Sequence, residues 1–197
     1  MLYTKKRDKG NNKMKIAIIG GIGSGKSEAL RTAKDLGFAT LSADEINSEL
    51  LAQPSYIESI ARLFPAVVTD GKVDRRALAK IIFRDEGERK KLNSLAHPLI
   101  VERIKRDSRS PLVVEVPLIL ESGSKDLFDE IILVKTPLDV RVERLMSSRG
   151  MSREDVLARI ASQADEKALE EVATKVVVNG GTPRDLQESI REVLKTL

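Results

Sequence analysis

Cysteine is absent from all 197 residues, so neither a disulfide nor a thiolate metal site is available, and the chain suits a reducing compartment. Tryptophan is missing too, and aromatic residues make up only 3% of the chain. Aliphatic side chains must therefore build the core, and the scarcity argues against the stacked aromatic platforms that hold single-stranded nucleic acid. No apolar run approaches the ~20 residues of a membrane-spanning helix, and the first residues lack the apolar region of a signal peptide. These absences describe a cytoplasmic protein. Internal repeats and low-complexity stretches do not occur either.

An overall charge imbalance is also lacking once the charges are located. The formal net charge is +4, yet residues 1–13 hold Lys5, Lys6, Arg7, Lys9 and Lys13 against Asp8 alone, leaving 29 basic and 29 acidic residues in the body. The body is formally neutral, so the basic balance is no footprint of a nucleic-acid partner. Residues 1–13 read as a flexible basic leader, or as the product of an upstream start with Met14 as the working one.

What the chain has is concentrated in residues 16–27. The apolar run Ile16-Ala17-Ile18-Ile19 ends in Gly20-Gly21-Ile22-Gly23-Ser24-Gly25-Lys26-Ser27, the pattern of a strand feeding a phosphate-binding loop. Glycines let the backbone turn tightly enough for successive N–H groups to converge on phosphate oxygens. The helix expected from Lys26 to Leu36 adds its positive end. Lys26 is placed to reach the β- and γ-phosphates, and the Ser27 hydroxyl to ligate Mg²⁺.

From Met14 onward, apolar runs alternate with helical patterns. Strands are expected at Ile16–Ile19, Ala39–Leu41, Leu112–Val116, Ile131–Lys135 and Lys175–Val178, with helices at 26–36, 43–108, 137–148 and 183–196. Short apolar strands separated by helices predict an α/β fold with a five-stranded parallel sheet covered on both faces. The long insertion after the second strand carries Ile57, Ile60 and Phe64, then Leu78 and Ile81, then Leu92 and Leu95 at helical spacing. Breaks between its helices are expected at Gln53-Pro54, Pro65, Asp70-Gly71 and His97-Pro98. After the fourth strand Arg144, Arg149, Arg153 and Arg159 crowd one segment; they form either a solvated face or a lid over phosphate.

Ligands of open parallel sheets bind at the carboxyl ends of the strands. After the second strand comes Ser42-Ala43-Asp44, where Asp44 either orients a substrate hydroxyl or caps the next helix, a task open equally to Ser42. Glu115, Pro117 and Glu121 follow the third strand, and an acidic group there would hold Mg²⁺ through water or stand solvated. Asn179-Gly180-Gly181-Thr182-Pro183 follows the last strand as a turn with Pro near the start of a helix. His97, the only histidine, reads on its own as a capping or packing residue.

These stretches in order resemble the dephospho-CoA kinase family over nearly the whole chain from Met14. The resemblance rests on Gly20–Ser27; Ala43-Asp44; Asp70-Gly71 with Asp74-Arg75; Leu95-Ala96-His97-Pro98-Leu99-Ile100; Val116-Pro117-Leu118 with Glu121; Arg144-Leu145 with Arg149; Arg159 and Gln163; and Asn179-Gly180-Gly181. It implies a P-loop kinase fold with a nucleotide-binding core (14–42, 111–143 and 174–197), a helical substrate domain (43–110) and a small helical lid (144–173). The implied reaction is ATP-dependent phosphorylation of the ribose 3′-hydroxyl of dephospho-CoA. In it Asp44 accepts or orients the hydroxyl proton, and Arg144 and Arg149 close over the developing charge. Lys26 and the amides of Gly21, Ile22, Gly23, Ser24, Gly25 and Ser27 hold phosphate, Asn179 contacts the nucleotide, and Arg75, His97, Pro117 and Glu121 join Asp44 around the acceptor. ATP and dephospho-CoA are then the partners, with Mg²⁺, no nucleic acid and no membrane, in a monomer or weak homo-oligomer.

Three departures from the family pattern stand out, one being Glu115, where many relatives carry Asp. The first acidic position of the usual Asp-Ala-Asp is Ser42, and the Asn-Asn-Gly after the last strand is Asn179-Gly180-Gly181. A GTPase is set aside, because no glycine has Asp three residues before it and no base-reading Asn-Lys-x-Asp occurs. The alternatives are another small-molecule P-loop kinase, acting on a nucleotide or sugar acid, and a nucleotide-dependent binding protein with weakened catalysis.

Overall fold

The computed structural model describes residues 13–163 and 165–197, so the basic leader, apart from Lys13, lies outside the described residues. Along the chain β1 (Lys15–Ile19) leads into α1 (Lys26–Asp35), β2 (Ala39–Leu41), α2 (Ala43–Leu50) and α3 (Pro54–Leu63). A hairpin of β3 (Val68–Thr69) and β4 (Lys72–Val73) follows, then α4 (Arg75–Arg84) and α5 (Glu86–Arg106). The order is completed by β5 (Leu112–Glu115), β6 (Glu130–Lys135), α6 (Leu138–Arg149), α7 (Arg153–Ala161), α8 (Glu166–Val172), β7 (Lys175–Val178) and α9 (Pro183–Lys195).

The expected parallel sheet is present, in the order β2-β5-β1-β6-β7. Its central strand β1 pairs Ala17 with Val114 on one side and with Ile131 on the other. Both faces are covered, which is why these strands read as unbroken Ile/Val/Leu runs. On one face Ala17, Ile19, Leu41, Val114 and Leu133 pack against Ile46, Leu50, Tyr56, Ile60, Ile104 and Leu169. On the other, Ile16, Ile18, Val113, Ile132 and Val177 meet Ala29, Leu30 and Ala33 of α1 and Leu186, Ile190 and Leu194 of α9. A third cluster joins Val142 and Leu145 of α6 to Val156 of α7, with Ile22 of the glycine-rich loop packed onto it.

The insertion differs from the expected helical stretch. Residues 43–108 form four helices interrupted by the β3–β4 hairpin, whose turn residues Asp70 and Gly71 have φ of 49° and 68°. Two residues per strand are too few to carry a period-two signal, whereas an Asp-Gly pair suits a two-residue hairpin turn. Gln53-Pro54 and Pro65 do break helices, Pro54 opening α3. His97-Pro98 does not, because α5 runs continuously through Pro98. A proline inside a helix costs about 3 kcal/mol or more. Packing of Leu92, Leu95 and Ala96 before it and of Ile100 and Ile104 after it holds α5 together. The arginine-rich segment is likewise divided: Gly150, with φ of 61°, ends α6, and Ser152 caps α7, so the four arginines lie on two helices.

Candidate active site

The connections leaving the carboxyl ends of β1, β2 and β5 converge. Between β1 and α1 the chain turns through Gly20–Gly25, and Gly25 adopts φ of 99° with no room for a side chain, since a Cβ there would lie 2.6 Å from Asn179 Nδ2. Helix α1 has no side-chain cap among the described residues, whereas Ser42, Asp74, Asp85, Ser152, Asp165 and Thr182 cap other helices. The backbone N–H groups of Gly23, Gly25, Lys26 and Ser27 have no acceptor among the described residues. A glycine-lined helix end with free amides is an anion seat. Two amides of the loop are engaged: Ser24 N–H donates to Gly21 O at 3.2 Å, and Ile22 N–H donates to Gln163 Oε1 at 2.7 Å. Ile22, expected among the phosphate-holding amides, is therefore already taken by a side chain.

Lys26 donates to the Gly21 carbonyl at 3.0 Å, folded back over the loop it belongs to. Burial lowers its pKa; the Glu115 carboxylate opposes that shift, and Arg141 and Arg149 reinforce it. Ser27 Oγ donates to Glu115 at 3.3 Å. Burial raises the pKa of the Glu115 carboxyl; Lys26 and Ser27 pull it back, and the charge of Asp44 pushes it up again. Lys26, Ser27, Glu115 and Asp44 thus form one electrostatic group gathered from three strand ends. No group of three or more His, Asp or Glu side chains among the described residues is arranged to hold a metal ion.

The capping question at α2 has a clear answer. Ser42 Oγ accepts from Glu45 N–H at 3.0 Å, while Glu45 Oε2 accepts from Ser42 N–H at 2.7 Å, a complete capping box. Asp44 is exposed in the first helical turn and is not needed as a cap. The serine that departs from the family pattern is the residue that leaves this carboxylate free.

His97, in the middle of α5, faces the turn after β5. Burial lowers its pKa, with the Glu121 carboxylate opposing the shift, and its buried Nε2 has no partner among the described residues. Pro117 and Glu121 are exposed in that turn. Arg75 is exposed at the first position of α4, with no hydrogen bond or ion pair to the loop among the described residues.

The two arginines expected over the phosphates part company. Arg149, at the exposed end of α6, bears electrostatically on Lys26. Arg144 instead donates to Asn179 Oδ1 at 3.2 Å and to Gly181 O at 2.9 Å, because the turn after β7 offers it two acceptors. Asn179 is buried, and its Nδ2 donates to Ser24 O at 2.8 Å, joined there by Thr136 Oγ1 at 3.0 Å. Both ends of the Asn179 amide are committed to protein, so the side chain supports the loop and Arg144. Arg159 of α7 lies 4.0 Å over the ring of Phe83 on α4, spanning from the arginine-rich segment to the insertion. Sequence reasoning gave no role to Thr136 or Arg141. Arg141 Nε donates to Ile22 O at 2.9 Å, and nothing in the residue pattern separates it from its neighbours on α6.

The family profile described as dephospho-CoA kinase matches residues 14–185. A dephospho-CoA kinase of Thermus thermophilus is 37% identical over 186 residues, covering 92% of this chain and 91% of that protein. The solved structure of a dephospho-CoA kinase from Campylobacter jejuni superposes with a TM-score of 0.65 at 27% identity, covering 92% of this chain and 95% of its own. Shikimate kinase from Acinetobacter baumannii, at 18% identity and a TM-score of 0.58, covers 94% and 95% and shares the fold alone. No helix among the described residues is long and apolar enough to cross a membrane. A phosphate loop with free amides, a carboxylate released beside it, and a match running nearly end to end agree: the chain belongs to the dephospho-CoA kinase family.

Proposed function

We propose that this chain transfers the γ-phosphoryl group of ATP to the ribose 3′-hydroxyl of dephospho-CoA, giving coenzyme A and ADP. The observation that carries the proposal is the meeting of Lys26, Ser27, Glu115 and Asp44 at the phosphate loop, with Asp44 freed by the Ser42 cap. Phosphoryl transfer passes through a loose transition state, so positioning and charge stabilisation do the work. Asp44 accepts or orients the proton of the attacking hydroxyl. Lys26 leaves the Gly21 carbonyl for the β- and γ-phosphates, whose oxygens take the free amides of Gly23, Gly25, Lys26 and Ser27. Arg149 adds positive charge from the rim. Arg144, braced by Asn179 and Gly181, faces the nucleotide end.

The acceptor lies against the insertion, residues 43–110, with Arg75, His97, Pro117 and Glu121 around it; the orphaned His97 Nε2 suits a polar atom of that ligand. Residues 144–173 act as the lid, and residues 14–42, 111–143 and 174–197 as the core. The hard oxygens of Ser27 and Glu115 suit Mg²⁺, which keeps several waters and binds through one or two protein groups plus phosphate, so a prebuilt cage is not required. When bound, Mg²⁺ neutralises charge on the phosphates. The protein works in the cytoplasm as a monomer or weak homo-oligomer.

The test is ADP formation by the purified chain with ATP and dephospho-CoA, adenosine monophosphate or pantothenate as acceptor. Turnover with dephospho-CoA alone is expected. Preference for either of the other two would transfer the assignment to another small-molecule kinase, and no turnover with any would favour a binding protein.

A further inference from the structure

The phosphate loop is held by more than its own turn. Ile22 is gripped three ways by residues that follow β6. Its N–H donates to Gln163 Oε1 at 2.7 Å, its carbonyl accepts from Arg141 Nε at 2.9 Å, and its side chain packs on the cluster of Val142, Leu145 and Val156. Arg141 Nη2 lies 3.4 Å from Gln163 Oε1, so the two side chains close a ring around the Ile22 backbone. Arg141 is only 7% exposed, and Glu166 is the carboxylate facing it, 4.0 Å from Nη1. Gly21 makes room for this arrangement, since a Cβ there would stand 2.7 Å from Arg141 Cζ.

The chemistry of the ring fits a place beside phosphates. Gln163 satisfies the Ile22 N–H with a neutral oxygen and adds no negative charge next to an anion seat. It belongs to the connection between α7 and α8, whereas Ile22 precedes the free amides of Gly23, Gly25, Lys26 and Ser27 by only a few residues. The position of that connection and the curvature of the loop are thus joined by one hydrogen bond.

We propose that Gln163 is a positioning residue: by holding the Ile22 N–H, with Arg141 on the adjoining carbonyl, it sets the phosphate loop in its working curvature when the α7–α8 segment is seated. The proposal rests on the lid assignment given to that segment above. It makes closure of the segment and readiness of the loop a single event. A displacement of about 1 Å at a reacting centre costs on the order of 100-fold in rate, so a modest change of curvature has a large effect.

The test uses the full chain with Gln163→Leu, which keeps bulk but removes the acceptor, and Gln163→Glu, which restores an acceptor oxygen. Amide exchange at Ile22, read by NMR without nucleotide or acceptor, is expected to accelerate about tenfold or more in Gln163→Leu, Gln163 Oε1 being the acceptor of that N–H among the described residues. Protection returns in Gln163→Glu. With dephospho-CoA saturating, kcat of Gln163→Leu falls about 10- to 100-fold while the melting temperature stays close to wild type, and kcat recovers in Gln163→Glu. Unchanged exchange at Ile22, an unchanged kcat, or equal loss of protection in both variants would overturn the proposal. So would a loss of kcat matched by a loss of melting temperature, which marks general destabilisation. A wild-type chain that forms no ADP with dephospho-CoA would instead overturn the functional assignment, because the exchange measurement needs no acceptor.

Discussion

Two charged corners of this molecule use the same side-chain types and satisfy them to opposite degrees. Where α2 meets the end of α5, Asp107 is buried with Arg103 at 3.0 Å and Arg109 at 2.6 Å, and Arg103 reaches on to Glu49 at 2.5 Å. Arg109 above all, and then Arg103, hold the Asp107 carboxyl well below its ordinary pKa against the opposing effect of burial. At the phosphate loop the outcome is reversed. Burial dominates both Glu115, whose pKa is raised, and Lys26, whose pKa is lowered, and the loop amides of Gly23, Gly25, Lys26 and Ser27 have no acceptor among the described residues. The first corner ties helix to helix; the second leaves charge uncompensated where a polyanion is to bind. Incomplete satisfaction is itself the mark of the site.

The contrast breaks most visibly at Lys26. Replacing it with alanine should lower turnover about 10³-fold, roughly 4 kcal/mol of transition-state stabilisation, because a cation aimed at developing charge is lost. The melting temperature should hold or rise slightly, since desolvation of the half-buried ammonium, which lowers its pKa, offsets what its charge contributes in the empty protein. An unfolded variant, or near-normal turnover, would show that Lys26 belongs with the structural charges.

Asp107→Asn should do the reverse, leaving kcat near wild type and lowering stability by about 1–3 kcal/mol as Arg103 and Arg109 lose their buried partner. A depressed carboxylate contributes stability above its unfolded pKa of ~3.9 that is lost as pH falls toward the folded value. The wild type should therefore lose stability in acid, and the variant should lose less over the same range. Denaturant titrations from pH 7 to pH 3 would read this.

Glu115→Gln is the smallest of these effects and opposite in sign. A carboxyl with a raised folded pKa contributes stability below its unfolded value that is lost as pH rises through the folded one. Removing the charge should raise the melting temperature slightly at neutral pH, by less than Asp107→Asn lowers it, while turnover becomes more demanding of Mg²⁺. A lower melting temperature in Glu115→Gln would erase the distinction between the corners.

How much of this was legible depended on the range of the interaction. The five sheet strands and the phosphate loop were readable because their signals are local: apolar runs of three to six residues and a fixed glycine spacing. The β3–β4 hairpin was not, since two-residue strands have no period, and continuous α5 hid behind Pro98, whose tolerance depends on packing at both ends of the helix. At the site, Ser42 and Asp44 offered the same capping chemistry in sequence, and only the reciprocal bonds with Glu45 separate them. Arg144 and Arg149 looked alike for the same reason, until the acceptors on Asn179 and Gly181 claimed one of them. Arg141 and Thr136 left no sequence signal because their partners are backbone carbonyls 119 and 112 residues away.

If the unsatisfied corner performs phosphoryl transfer with Asp44 on the attacking hydroxyl, Asp44→Asn is the deciding variant, because Ser42 already caps α2. Single-turnover transfer to dephospho-CoA and ATP affinity should be measured on the same variant. Affinity and melting temperature should be unchanged, with transfer slowed about 10²- to 10⁴-fold. Transfer at the wild-type rate would contradict that role and remove Asp44 from the chemistry.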